Sequence, residues 1–357
     1  MIRIGIDTQI ANVSRAGIGQ VTTAVSRLLP TVDANAAYVP LAPSHSRDLS
    51  MPQRWWWDQV TLPRLARRER IDVVLKPGFS CPVRSSIPTV MIVNDLAARR
   101  FPHQLHKPSA WFYGRWAPWT YRRAAHLIAI SEFTAREIIS ELGIARNKIS
   151  VMMQAVDREA VAPGANDGKH LAAHDLAGKK FVLHIGTIEP RKNLAFLVRT
   201  FATFRAKHPE YLLVLAGAEG WLSTDVREAV ASRDLSRAVV FTGSVTEEAK
   251  FALLRHARAL AFPSFYEGFG RPPLEAMACG TPVVASRSSS IPEVVGDAGI
   301  LLSGYDEDEW VRSLEAAAED GDTRTRLIAA GPLRSRTFTW ERAARQIADI
   351  LHDVAHG

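Results

Sequence analysis

The chain has 357 residues, 47% hydrophobic and 23% charged, with a formal net charge of +7. That length fits two ordinary globular domains, and no run of about 18 uncharged apolar residues is present to span a membrane. The two cysteines, Cys81 and Cys279, have no metal-ligand spacing and read as buried thiols.

The amino terminus runs into "MIRIGID", a charged strand opening in place of a signal peptide, so a cytoplasmic protein is expected. "IRIGID", "DVVLK", "TVMIVND" and "HLIAIS" follow one another as short β-branched apolar runs separated by helix-length segments. Between residues 51 and 125 there are 13 Lys and Arg against 4 Asp and Glu, a basic face that asks for an anionic partner. Trp55, Trp56, Trp57, Trp111, Trp116 and Trp119 are interleaved there with Arg54, Arg64, Arg67, Arg68, Arg115, Arg122 and Arg123. Two readings stay open. The face docks on the anionic inner leaflet of the plasma membrane, where a lipid-linked acceptor would be presented, or some tryptophans fill the core under a solvated arginine face.

Residues 157–180 are rich in Ala, Gly, Asp and Lys without a strand pattern and read as a linker. Beyond them the alternation restarts with "FVLHIG", "YLLVLAG", "AVVFTG", "ALAFPS" and "PVVAS". Continuous apolar strands alternating with helices predict parallel sheets covered on both faces, hence two doubly wound domains, 1–165 and 175–335. An amphipathic helix within 336–357 sets Trp340, Ala344, Ile347 and Leu351 on one side and is expected to pack back toward the first domain.

Ligands of open parallel sheets sit beyond the carboxyl ends of the strands. After "ALAFPS" comes the loop "FYEGFG" and a helix, "PPLEAMACG", with prolines in its first turn and Gly280 past its end. This places Glu267 in the loop, Gly268, Phe269 and Gly270 with backbone N–H groups near a helix start, and Glu275 in the first helical turn. Two carboxylates and bare backbone donors suit a ligand with two polyhydroxylated rings; the alternative is a solvated Glu267 and a Glu275 that complements the helix dipole. After "FVLHIG", Gly186 precedes a loop carrying Arg191 and Lys192 ahead of another helix, a setting for a diphosphate. His184 reads as a satisfied strand histidine.

"GTIEPRKN", "VVFTGSV", "FPSFYEGFGRPPLEAMACGTPVVAS", "IPEVVGDAGILL" and "TWERAARQI", in this order, closely resemble the family-4 retaining glycosyltransferases, and "AGIGQ", "VNDL", "FPH" and "AISEFTAREI" extend the likeness across the first domain. The resemblance implies an α/β protein of the GT-B type, two doubly wound Rossmann-like domains facing across a cleft. It implies that Glu267 contacts the donor sugar, that Glu275 binds the ribose hydroxyls, and that Lys192 with Arg191 holds the diphosphate. Gly243, Ser244 and Val245 would lie beside the base, and Gly17 to Gly19 would face the diphosphate from the other domain. Mannose from GDP-mannose is the first donor it points to, by similarity to bacterial mannosyltransferases of surface polysaccharide assembly, with a glycan or polyprenyl-linked glycan as acceptor. Other nucleotide-sugar donors, a non-catalytic nucleotide-sugar-binding protein, and an epimerase or phosphorylase on the same architecture are the alternatives.

No metal or cofactor is expected, since Lys, Arg and helix N-termini supply positive charge and no Asp-x-Asp motif adjoins the proposed donor site. A nucleic-acid partner would explain the basic first half but not the ordered loops of the second, and none is expected. The chain departs from the family pattern where Asn94-Asp95 replaces "HD", where Thr187 replaces Arg, and where Arg271 replaces an aliphatic residue. A carboxamide orients hydroxyls but takes up no proton, so Asp95 or the departing phosphate is left to accept it; His103 is a further acceptor-side candidate.

Overall fold

A computed structural model describes residues 1–11, 17–43, 48–220 and 224–356. The chain divides into two compact units, Met1–Gln154 with Thr339–Gly357, and Ala155–Phe338. Each is built on a six-stranded sheet in which every pairing is parallel.

In the first unit the strands are β1 (Ile2–Asp7), β2 (Ala36–Leu41), β3 (Val73–Lys76), β4 (Thr89–Val93), β5 (His126–Ala129) and β6 (Ile149–Val151), ordered β2-β1-β3-β4-β5-β6. In the second they are β7 (Lys180–Ile185), β8 (Tyr211–Ala216), β9 (Val239–Gly243), β10 (Ala259–Phe262), β11 (Val283–Ser286) and β12 (Ile300–Leu302), ordered β12-β11-β10-β7-β8-β9. The inner strands β3, β4, β10 and β11 are buried along their whole length. Covered on both faces, they read as nearly continuous hydrophobic runs, and the polar residues Lys76, Thr89 and Ser286 stand only at their ends.

Residues 157–180 are not a bare linker. They contain the helices Arg158–Val161 and Asp167–Ala172, and the first unit ends at Gln154, ahead of the expected boundary at 165. Arg255 explains the difference: its guanidinium donates to both Asp167 oxygens and to the Ala160 carbonyl, tying this polar segment to the second unit. The helix Trp340–His356 belongs to the first unit, with Trp340, Ala344, Ile347 and Leu351 buried. Gln346 Nε2 donates to the Val151 carbonyl at 2.7 Å, and His352 Nε2 meets Asp33 at 2.9 Å.

The aromatic and basic segment of the first unit splits. Trp55, Trp56, Trp111 and Trp119 are exposed, as are Arg64, Arg67, Arg68, Arg115, Arg122 and Arg123. Trp57 and Arg54 are interior instead. Trp57 Nε1 donates to Asp7 at 3.2 Å, while Arg54 lies 3.6 Å from the Phe79 ring centre and donates to Gln9. Beneath them Lys76, fully buried at the end of β3, sets its Nζ 2.7 Å from both Asp7 Oδ2 and Asp58 Oδ1. Burial opposes the Lys76 charge, but the two carboxylates outweigh it and hold the ammonium above its ordinary pKa; Asp58 is pushed up by its own burial. Ser80 Oγ donates to the second Asp58 oxygen at 2.6 Å, completing its shell.

Candidate active site

The expected donor residues of the second unit collect around the carboxyl ends of β7, β9 and β10. The loop after β7 turns through a single 3-10 turn, Pro190–Lys192, and Asn193 closes it in the left-handed region (φ 55°), a conformation Asn tolerates. The helix Leu194–Lys207 begins there and buries Leu194, Phe196, Leu197 and Phe201 under the sheet. Arg191 and Lys192 therefore stand just ahead of a helix start whose apolar face anchors them.

The loop after β10 is pinned from two sides. Phe265 N–H donates to the Arg191 carbonyl at 2.9 Å. From the loop after β11, Ser289 Oγ accepts from the Glu267 N–H at 2.8 Å and Ser290 Oγ donates to the Glu267 carbonyl at 2.9 Å. Gly270, at φ 100°, then starts the helix Arg271–Ala278, a backbone angle that disfavours a side chain.

Glu267 is buried, so the solvated alternative does not hold. Lys192 Nζ donates to its Oε1 at 2.5 Å, Arg191 Nη1 to its Oε2 at 3.1 Å, and Arg191 also donates to Glu189. Burial alone would raise the Glu267 pKa; the charges of Lys192 and Arg191 overcome it and bring the carboxyl down to about 2. Burial, with the neighbouring Arg191 charge, lowers the Lys192 pKa against the pull of Glu267.

Glu275 is placed one residue further into its helix than the sequence pattern implies, just past the first turn, because the helix begins at Arg271, one residue ahead of the prolines. It is 2% exposed, and its Oε1 accepts from Lys250 Nζ at 2.8 Å and Arg271 Nη2 at 3.1 Å. Two cations on one buried oxygen fix the carboxylate in orientation. Sequence reading missed Lys250, whose only signal was a lysine inside an amphipathic helix, and it missed Ser289 and Ser290, which stood in a run of serines.

Gly186, Gly217 and Gly243 follow or end β7, β8 and β9. The Gly217 N–H donates to the Gly243 carbonyl, and a Cβ on Gly217 would stand 2.1 Å from the Gly186 carbonyl oxygen, so the loop backbones close up only with glycine there. Gly243 and Ser244 are exposed, Val245 is half-buried, and Gly268, Phe269 and Gly270 are buried.

The remaining expected residues belong to the first unit. Gly17 precedes the helix Ile18–Val32 and Gly19 is buried within it; residues 12–16, which include Ala16 of "AGIGQ", lie outside the described residues. Asn94 Nδ2 donates to the Pro77 carbonyl at 3.0 Å. Asp95 is exposed and accepts from the Ala97 N–H at 2.9 Å, and His103 is exposed with its ring edge-on to Phe101.

The family model for Glycosyltransferase Family 4 matches residues 19–160, and that for Glycosyl transferases group 1 matches residues 169–334. The chain is 32% identical over 222 residues to O-antigen chain mannosyltransferase B of Escherichia coli, covering 62% of this chain and 58% of that protein. It is 31% identical over 229 residues to the serotype-specific mannosyltransferase WbdA of Escherichia coli, covering 63% of this chain and 28% of that one. The match therefore spans less than two thirds of either relative. Among solved structures, Anabaena Alr3699/HepE in complex with UDP and glucose superimposes with a TM-score of 0.74 at 17% identity over 99% of both chains. WaaG, a glycosyltransferase involved in lipopolysaccharide biosynthesis, does so with a TM-score of 0.73 at 13% identity, over 98% of this chain and 99% of that one. With two parallel six-stranded sheets and the two family regions following one another along most of its length, the chain belongs to the glycosyltransferases of GT-B fold, a family 4 region followed by a group 1 region.

Proposed function

We propose that the chain transfers a hexose, mannose from GDP-mannose in the first place, to a glycan or polyprenyl-linked glycan acceptor with retention of the anomeric configuration. The observation that carries the reading is the cluster of half-buried Arg191 with buried Lys192 and Glu267 at the strand ends. Within it, cations and carboxylate satisfy one another. A sugar nucleotide offers each side a new partner, with diphosphate oxygens for the cations and sugar hydroxyls for Glu267. As the bond to the β-phosphate breaks, negative charge grows where Lys192 and Arg191 lie and positive charge grows on the sugar near Glu267. This assignment requires no metal. Glu275, held by Lys250 and Arg271, takes the ribose hydroxyls. Asn94 orients a hydroxyl on the acceptor side, and Asp95 or the departing phosphate accepts its proton.

Mannose is supported by the names of the two Escherichia coli relatives; the HepE neighbour, solved with UDP and glucose, supports a uridine donor as the second reading. Thermal unfolding with a panel of nucleotides and sugar nucleotides separates them, since a ligand at a hundredfold its Kd stabilises by about 2.7 kcal/mol, or about 5 °C for a unit of this size. GDP and GDP-mannose are expected to give the largest shifts. Larger shifts with UDP sugars would move the donor to the uridine series, and none with any nucleotide would remove the donor site. Comparison of the anomeric proton in donor and product by NMR then tests retention.

The exposed tryptophans and arginines of the first unit extend this reading to an anionic membrane surface. A groove of about 840 Å³ there is lined by Leu49, Pro52, Trp56 and Leu65 together with Arg64 and Arg68. Rings at headgroup level and cations near anionic lipid, each contributing about 1 kcal/mol, favour such a face. Among the described residues no helix is long and apolar enough to cross a membrane. Co-sedimentation with vesicles is expected to rise with anionic lipid, fall with salt, and drop when Arg67, Arg68, Arg122 and Arg123 are changed together to Ser. Equal sedimentation with neutral and anionic vesicles, or none, would remove the membrane face and leave the transferase intact.

A further inference from the structure

Only half of the description of His184 as a satisfied interior histidine holds. The side chain is fully buried in β7, its ring stacked on Phe262 with centroids 5.5 Å apart, and its Nδ1 lies 3.0 Å from the Ala261 carbonyl. A carbonyl only accepts, so Nδ1 carries the proton. Burial brings the imidazole pKa down to about 4, which keeps the ring neutral. Nε2 is then a bare lone pair, and it is buried without a hydrogen-bond partner. Such a group calls for a donor.

The neighbouring donor is Lys192. A Cβ built on Gly186 would lie 3.5 Å from both His184 Nε2 and Lys192 Cε, and 3.9 Å from Lys192 Nζ, so the two side chains flank one glycine that puts nothing between them. The ammonium has three protons, and among the described residues its one hydrogen-bond partner is Glu267. The charged groups around it are Glu189 and Arg191 from its own loop and Glu267 from the loop after β10. None of these reaches His184 Nε2.

We propose that His184 is a positioning residue for Lys192: when a diphosphate draws the ammonium off Glu267, His184 Nε2 accepts a hydrogen bond from one of its N–H groups and so aims the others at the phosphate oxygens. The proposal rests on the reading of Lys192 as a diphosphate cation. The stack on Phe262 fixes the ring plane, and the bond to Ala261 fixes the tautomer, so the lone pair is presented without reorganisation. A second contact of this kind is what a lysine needs to act directionally, since alone it is a point charge on a flexible stem.

The test is calorimetric titration of GDP, or of UDP if the thermal shifts favour it, between pH 7 and 10 into the wild-type chain, His184→Phe and His184→Gln. Phe keeps the stacked ring and removes the acceptor, while Gln returns an oxygen near the place of Nε2. An acceptor on the ammonium favours its charged form, so its loss lowers the Lys192 pKa. The alkaline fall in affinity is expected about one pH unit earlier in His184→Phe, with up to about tenfold weaker binding on that limb, and near its wild-type place in His184→Gln. The nucleotide's own ionisation cancels between proteins. An equal loss at every pH, or an unmoved limb, would overturn the proposal. If Lys192→Ala leaves nucleotide affinity intact, the diphosphate reading of Lys192 fails instead and the proposal falls with it. Should His184→Phe be unstable, His184→Leu makes the same comparison.

Discussion

Changing Glu267 or Lys192 to alanine is expected to lower turnover by about a hundredfold or more at saturating donor and acceptor, in line with about 3 kcal/mol for one preorganised electrostatic partner. The structure adds a complication that the experiment must separate. Glu267 is the carboxylate that compensates two neighbouring cations, Lys192 at 2.5 Å and Arg191 at 3.1 Å, and removing one member of a buried ion pair costs about 3–5 kcal/mol of stability. Glu267→Gln keeps the volume and an acceptor while removing the charge. Turnover of the Gln variant, measured below its own unfolding temperature, is expected to stay at least about tenfold down. Near-normal turnover would end the assignment of Glu267 to the reacting face. Because its pKa is held near 2, an acid limb well above that value in the rate profile belongs to another group.

The largest loss of stability is expected in the first unit, at Lys76→Ala. Its Nζ is 2.7 Å from both Asp7 and Asp58, and Lys76 and Asp58 are completely buried. Without the ammonium two carboxylates stay inside the unit with no cation between them, an expected loss of about 3–5 kcal/mol, or about 10 °C in unfolding temperature. Lys76→Met with Asp58→Asn is expected to cost less than Lys76→Met alone, because the second change removes the charge that the first leaves unpaired. Equal or additive losses in that cycle, followed by calorimetry, would show that the triad does not act as a unit.

What the sequence displayed, and what it hid, follows from burial. The inner strands were legible because both faces are covered and all but their end residues are apolar. The three strands without a recognisable run, β2, β6 and β12, all lie at sheet edges. Pro40 interrupts β2, and β6 and β12 are three residues each; an edge strand tolerates proline and exposure because one side of its ladder is unpaired. At the site, Glu267, Glu275, Arg191 and Lys192 were legible from loop placement and family likeness. Their mutual pairing was not, since it depends on loops after β7 and β10 meeting in space. Nor was the bare nitrogen of His184, because a sequence reports a histidine without its tautomer. Arg54 was hidden for the opposite reason: an arginine in a run of arginines and tryptophans reads as surface until Gln9, 45 residues earlier, is seen to receive it, while Trp57, donating to Asp7, agrees with the reading in which some tryptophans fill the core.

The helix Trp340–His356 completes a unit whose other residues are Met1–Gln154, while Ala155–Phe338 is uninterrupted in sequence. On the ribosome the second unit can therefore close as soon as its own residues have emerged, whereas the first, made earlier, waits with the apolar surface that Ala344, Ile347 and Leu351 later cover. Domains generally fold as units during synthesis, amino-terminal first; here the order of synthesis and the order of completion run in opposite directions. The interval is set by elongation: at about 5–20 residues per second, the stretch between Gln154 and the closing helix keeps the nascent first unit unfinished for about ten seconds or longer, the period in which a chaperone would engage it.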